Sequence, residues 1–231
     1  MRELFDVLRQ LDWTPLFISL KTGIAAAIVC FFMGVWLAYY MMKTKSYLAS
    51  VIDGILTLPL VLPPTVAGFL LLYLFSPRRP IGETLYDKLG IQVVQTWLGC
   101  IVAAVVISLP LMYRSAKAAF ELVDIKLIQV AKTLGLSDAK IFWKIILPLA
   151  KPGLLSGMIL TFARALGEYG ATSMLAGNIP GKTGTISQRI AMVLQNGDYL
   201  GAGIWTVIVM GIAFLCITLI QLIARTGNKK W

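Results

Sequence analysis

Five runs of nearly uninterrupted apolar sequence, at 22–42, 51–75, 97–113, 153–175 and 201–224, limit what this chain can fold into. A helix needs about 20 apolar residues to cross the ~30 Å hydrocarbon core of a bilayer, and each run has about that length. Backbone in lipid must satisfy its hydrogen bonds internally, which a helix does. The expectation is an all-α integral membrane protein of about five transmembrane helices, organised as a single domain over 1–231.

The residues between the runs narrow the reading. Positions 1–12 alternate charge with Leu4, Phe5, Leu8 and Leu11, the pattern of an interfacial helix, and no cleavable signal peptide is evident. Cys30, Cys100 and Cys216 each lie alone inside a run, and the chain has no histidine. Disulfides, zinc sites and histidine-based catalysis are not expected, nor is any cofactor bound by this chain. A formal charge of +10 would point to nucleic acid in a soluble domain. Here the charges sit at the ends of the apolar runs, so the bilayer is the partner and nucleic acid is not. Lys and Arg are densest after runs one, three and five, which by the positive-inside rule places those segments in the cytoplasm and the N-terminus outside. Run two is broken by prolines. It is either one bent span or a hairpin, and a hairpin would bring the N-terminus inside.

The longest polar interruption, 123–152, has its own order. Leu127, Val130, Ala131 and Leu134 fall at i, i+3, i+4 and i+7, an amphipathic helix closed by Gly135 as its C′ residue. Ser137 is a candidate N-cap with Asp138 in the first turn. Ile141, Phe142, Ile145, Ile146 and Leu149 then form a face opposite Lys140, Lys144 and Lys151. Two short helices with a glycine between them make a compact knob, suited to a protein docked beneath the membrane.

This segment resembles the cytoplasmic loop of ABC-importer permeases, which carries E-A-A, three residues, G, nine residues, I, one residue, L-P. Here Gln129, Val130, Ala131, Gly135, Ile145, Leu147 and Pro148 keep every spacing. Gln129 stands for Glu and Val130 for Ala, so position 129 offers no carboxylate to a partner. The resemblance covers roughly 14–224. It implies the type I ABC-importer permease fold in a bacterial or archaeal cell membrane, with no catalytic site in this chain. It further implies a homodimer, two cytoplasmic ATPase subunits in whose cleft the knob sits, and an extracytoplasmic binding protein that selects the substrate.

Two intramembrane stretches are candidates for the translocation path. Run two contains LTLPLVLPPTVAGF, and Pro59, Pro63 and Pro64 deprive the carbonyls of Ile55, Pro59 and Leu60 of helical partners. Either this is a packing kink, or the half-helix starting near Thr65 turns its positive end toward an anion. Run four contains TFARALGEYGAT, which places Arg164 about 16 Å along the helix from Gly153, near the midplane. A charge there costs about 2.5–3.5 kcal/mol on insertion scales. Arg164 and Glu168 therefore either line a path or pair to fix packing. Both stretches are similar to those of molybdate and sulfate permeases.

The loop GNIPGKTG, 177–184, looks like a nucleotide-binding loop. Gly177 to Gly181 leaves three intervening residues where four are required, and no strand precedes it, so nucleotide is not expected there. NIPGKT resembles an external loop of molybdate permeases, which implies molybdate or tungstate, with sulfate or thiosulfate as the alternative. Readings of another class are a stand-alone anion channel and a membrane enzyme with Arg164 and Glu168 as an acid–base pair. The enzyme would need more converging polar groups, since Asp53 is the only other acid near a span.

Overall fold

The structure, a computed structural model, describes residues 12–44 and 47–228. The expected interfacial helix at 1–12 falls almost wholly outside that range, as do the last three residues, 229–231, of the basic tail. All regular elements among the described residues are helical: α1 (Thr14–Lys43), α2 (Tyr47–Thr57) with a 3-10 turn at Leu58–Leu60, α3 (Pro64–Phe75), α4 (Pro80–Leu89), α5 (Trp97–Glu121), α6 (Ile125–Thr133), α7 (Asp138–Ile141), α8 (Leu147–Leu166), α9 (Gly170–Ala176), α10 (Ile186–Gln195) and α11 (Tyr199–Asn228). A π turn, Phe142–Ile146, welds α7 to α8 into one 29-residue helix.

Small residues set the helix directions. Thr22 accepts a hydrogen bond from the Trp97 indole at 3.0 Å, Cys30 meets the Val105 carbonyl, and a Cβ on Gly34 would lie 2.9 Å from Met112. These partners ascend together, so α1 and α5 run parallel. Gly153 packs on Ala119 and Gly157 on Ser115, so α8 runs antiparallel to α5. The glycines allow the close backbone approach that holds helices together where lipid offers no hydrophobic drive.

That geometry decides the nature of run two. Because α1 and α5 are parallel, the chain must return from the Lys43 end to the Trp97 end between them. It does so through α2 and α3, which are bent by 109° at the break. Run two makes one net crossing and is not a hairpin. α11 starts beside α1, with the Trp205 and Trp13 rings 5.9 Å apart, and its 30 residues suffice for a fifth crossing.

The core is layered along α5. Cys30, Ala38, Met112, Tyr113, Ala116 and Phe120 pack with Ile141, Ile146, Ala150 and Leu154 toward the Lys43 end. Ala67, Leu71, Ala103, Ile107, Ala171 and Leu175 form a second cluster toward the Trp97 end.

Two expectations are corrected here. The second short helix of the knob is not separate, since it runs through the π turn into α8. Run four is not one helix to Leu175, because it stops at Leu166 and resumes at Gly170.

Candidate functional site: a knob and a double helix break

The knob is built as its glycine requires. Asp124 caps α6 by accepting from the Lys126 N–H at 2.8 Å. At the other end Gly135 adopts φ +74, and the Leu136 N–H reaches the Ala131 carbonyl at 3.1 Å while the Gly135 N–H reaches that of Lys132 at 3.0 Å. These are the paired bonds of a Schellman closure. Ser137 takes the N-cap position of α7, although its hydroxyl makes no capping bond.

The apolar faces differ from expectation. In α6 only Ala131 is buried, with Ile128 packing beside it, whereas Leu127, Val130 and Leu134 are exposed. In α7 and its continuation Ile141 and Ile146 are buried but Leu149 is not, and Ala150 takes its place. The π turn causes this shift. The Leu147 N–H reaches back five residues to Phe142, one more than an α-helix allows, so every later side chain rotates by about one position. Pro148, which has no N–H, follows the wide turn at once.

Of the seven spaced residues, Ala131, Ile145 and Leu147 thus face the protein, while Gln129, Val130, Gly135 and Pro148 are exposed. Leu122 (87% exposed), Ile125, Leu134 and Trp143 are exposed along with Val130. Trp143 escaped the sequence reading, although a tryptophan between lysine-flanked core positions is a usable signal.

The knob is keyed to the spans. The Phe142 ring packs against that of Tyr39 of α1, with centroids 4.4 Å apart, and meets Phe120 of α5 at 6.1 Å. Asp138 pairs with Lys43 at 3.1 Å and Lys132 at 3.5 Å.

The second feature lies deep in the spans. Pro59 sits in the 3-10 turn, the Leu58 carbonyl accepts from both Val61 and Leu62, and Pro63 caps α3, which opens at Pro64 and Thr65. Pro63 and Thr65 are exposed. Run four breaks at the same level, and a Cβ on Gly170 would lie 2.9 Å from the Pro64 Cβ and 3.1 Å from the Thr65 nitrogen. The starts of α3 and α9 are therefore side by side. Arg164 and Glu168 flank this second break. Nη1 of Arg164 lies 2.9 Å from Oε2 of Glu168, while Oε1 accepts from the Ala171 N–H at 2.8 Å. Glu168 is buried, whereas about a third of the Arg164 side chain remains exposed. All six path candidates are thus at the two breaks, and those around Gly170 are in contact. Tyr169, half exposed inside the break, was not foreseen.

The glycine-rich loop turns its amides inward. The Ile179 carbonyl accepts from the N–H groups of Lys182, Thr183 and Gly184 at 3.0–3.2 Å, and Thr183 is buried. A phosphate-binding loop would aim those groups at a ligand.

Comparison with known proteins agrees with this geometry. Residues 30–226 match the family model described as binding-protein-dependent transport system inner membrane component. The molybdenum transport system permease protein ModB of Escherichia coli K12 is 38% identical over 225 residues, 97% of this chain and 98% of that one. A protein of Chlorokybus atmophyticus named as a sulfate transport system permease is 33% identical, covering 91% of this chain and 75% of its own. Among solved structures, a chain of a bacterial ABC transporter that imports alginate aligns with a TM-score of 0.73 at 15% identity, over 99% of this chain and 83% of that one. A chain of the MetNI methionine ABC transporter aligns with a TM-score of 0.64 at 19% identity, over 96% and 95%. At those identities the likeness is one of fold.

Proposed function

Since the chain belongs to the family of binding-protein-dependent transport system inner membrane components, we propose that it is the membrane subunit of an ATP-driven importer of molybdate. The observation that carries this reading is the 38% identity to a molybdenum permease across nearly the whole of both chains. The chain is a transporter subunit and not an enzyme, and ATP is hydrolysed by a partner.

The exposed Leu122, Ile125, Val130, Leu134 and Trp143 belong to the surface that a cytoplasmic ATPase covers. Its closure and opening move the knob, and Phe142 passes that movement to α1 and α5. Two copies of the chain face each other across the path, and the exposed Pro63 and Thr65 and the partly exposed Arg164 look toward that axis. A divalent oxyanion delivered by an extracytoplasmic binding protein meets positive potential there from Arg164 and the start of α3. No cofactor is required of this chain. Because Lys and Arg concentrate at the Lys43–Lys117 end, that end is cytoplasmic and the Trp97 end outside.

The sulfate-permease relative supports sulfate as a second substrate reading. Vesicles carrying the chain with its ATPase and binding protein test both. Radiolabelled molybdate should enter only with ATP, and tungstate should compete far better than sulfate. Entry without ATP would make the chain a channel, and stronger competition by sulfate would reassign the substrate.

A further inference from the structure

The arm formed by α2 and its 3-10 turn is poorly covered. Tyr47 is 84% exposed and Ile55 64%, and Val51 and Leu58 are also bare. Leu56 packs on the core, and the Thr57 hydroxyl is spent on carbonyls of its own helix. The polar tie between this arm and the core is Asp53. Its Oδ1 accepts from the Tyr113 hydroxyl and from Lys117 Nζ at 3.0 Å. Tyr113 is fully buried in α5, so its hydroxyl needs a protein acceptor. Lys117 lies one turn further along the same face and meets the carboxylate charge.

The far end of the arm is the break at 61–63, beyond which Pro64 and Thr65 rest against Gly170. A rigid arm pinned at Asp53 fixes where that break, and the start of α3, can lie. The pin is also joined to the knob, since Phe120 meets Phe142 one turn beyond Lys117 on α5.

We propose that Asp53 is a positioning residue of the transport path: its clasp on Tyr113 and Lys117 seats the α2 arm against α5 and so sets the break where the anion crosses. The clasp sits outside the coupling loop and touches no substrate. It acts through the arm, and the inference rests on the importer reading.

The test uses the assembled complex in vesicles, with ATP hydrolysed and radiolabelled molybdate taken up measured together. Asp53→Asn should leave the yield of complex unchanged and lower the molybdate moved per ATP by about tenfold, the size of a typical coupling between sites. The exchanged pair Asp53→Lys with Lys117→Asp restores opposite charges and should regain most of that ratio. An unchanged ratio in Asp53→Asn, or an exchanged pair no better than the single variant, overturns the proposal.

Amide hydrogen exchange over 47–57 reads the clasp whatever the substrate. Protection should fall in Asp53→Asn and return in the exchanged pair, and unaltered protection overturns the proposal as well. If the unmodified complex moves no molybdate on ATP while exchange behaves as stated, the importer reading fails and the clasp stands.

Discussion

Phe142 of the knob lies 4.4 Å, centroid to centroid, from Tyr39 near the end of α1, with the rings tilted by 54°. The same ring meets Phe120 at the end of α5, so one side chain joins the loop to two spans.

Truncation of that ring should therefore separate the knob from the spans. Phe142→Ala is expected to cost about 3 kcal/mol, the lower end for such a change because the ring is only partly buried. Thermal unfolding of the detergent-solubilised chain should shift down, and ATP hydrolysis in the complex should lose its response to loaded binding protein. Phe142→Leu, which keeps most of the volume, should behave nearly as wild type. Equal effects of both changes would show that the ring does not transmit movement.

Gly135 makes a sharper test, because conformation and space can be told apart there. Its φ is +74, and a Cβ would meet nothing within 4 Å. A substitution is thus strained by backbone alone, by roughly 1–2 kcal/mol, and more for a β-branched residue. Gly135→Val should insert normally but bind ATPase weakly, whereas Gly135→Asn, which tolerates this conformation, should bind almost normally. Co-purification of ATPase with each variant measures this, and full association by the valine variant would reduce the turn to a connector.

These two residues also show what the sequence makes legible. The four to five candidate spans are readable because a bilayer demands length and apolarity from each run, and the Gly135 closure is readable because only a left-handed position calls for glycine there. The face of the second knob helix is not. One extra residue in a π turn leaves composition and spacing untouched, yet it exchanges Leu149 for Ala150 in the core. Periodicity found the Leu127–Val130–Leu134 stripe but could not tell that it points away from this chain. The break at 167–169 is hard to read because the sequence on both sides of it is apolar, and Gly167, Glu168 and Gly170 are its marks. Asp53 and Lys117 are 64 positions apart, so nothing local announces their pairing.

The proposed orientation rests on the charge distribution and can be measured directly. Single cysteines at Ser137 and Asn228 should resist an impermeant thiol reagent in intact cells, and cysteines at Glu83 or Asn196 should react. Ser137, Glu83 and Asn196 are exposed in the fold, so access depends on the side of the membrane. Labelling of position 137 from outside would reverse the assignment of the knob to the cytoplasm.

The contact between the two helix breaks has its own signature. Gly170→Val would drive a side chain into Pro64 and the Thr65 backbone, an overpacking worth about 1–3 kcal/mol. It should lower the unfolding temperature of the complex and slow transport. Gly54→Ala is the control, since a Cβ there meets nothing within 4 Å and a helix interior gains about 1 kcal/mol from the change. Similar losses in both would mean that the breaks do not bear on each other.

Arg164 holds one oxygen of Glu168 while the Ala171 N–H holds the other, so the carboxylate is fully used in joining α8 to α9. The guanidinium is not, because a third of the side chain stays exposed beside the break. An anion that crosses here must be attracted without being trapped, as weak sites in series allow conduction elsewhere. Arg164→Gln should then cut the maximal rate of molybdate uptake by about tenfold or more, which corresponds to about 1.4 kcal/mol of barrier. The apparent affinity, set by the binding protein, should barely move. If Arg164 served only to neutralise Glu168, the double change Arg164→Gln with Glu168→Gln would recover transport, because a glutamine at 168 still offers an acceptor to the Ala171 N–H. We expect no recovery. Uptake by assembled complexes carrying the single and the double change decides between an arginine that faces the anion and one that only balances a charge.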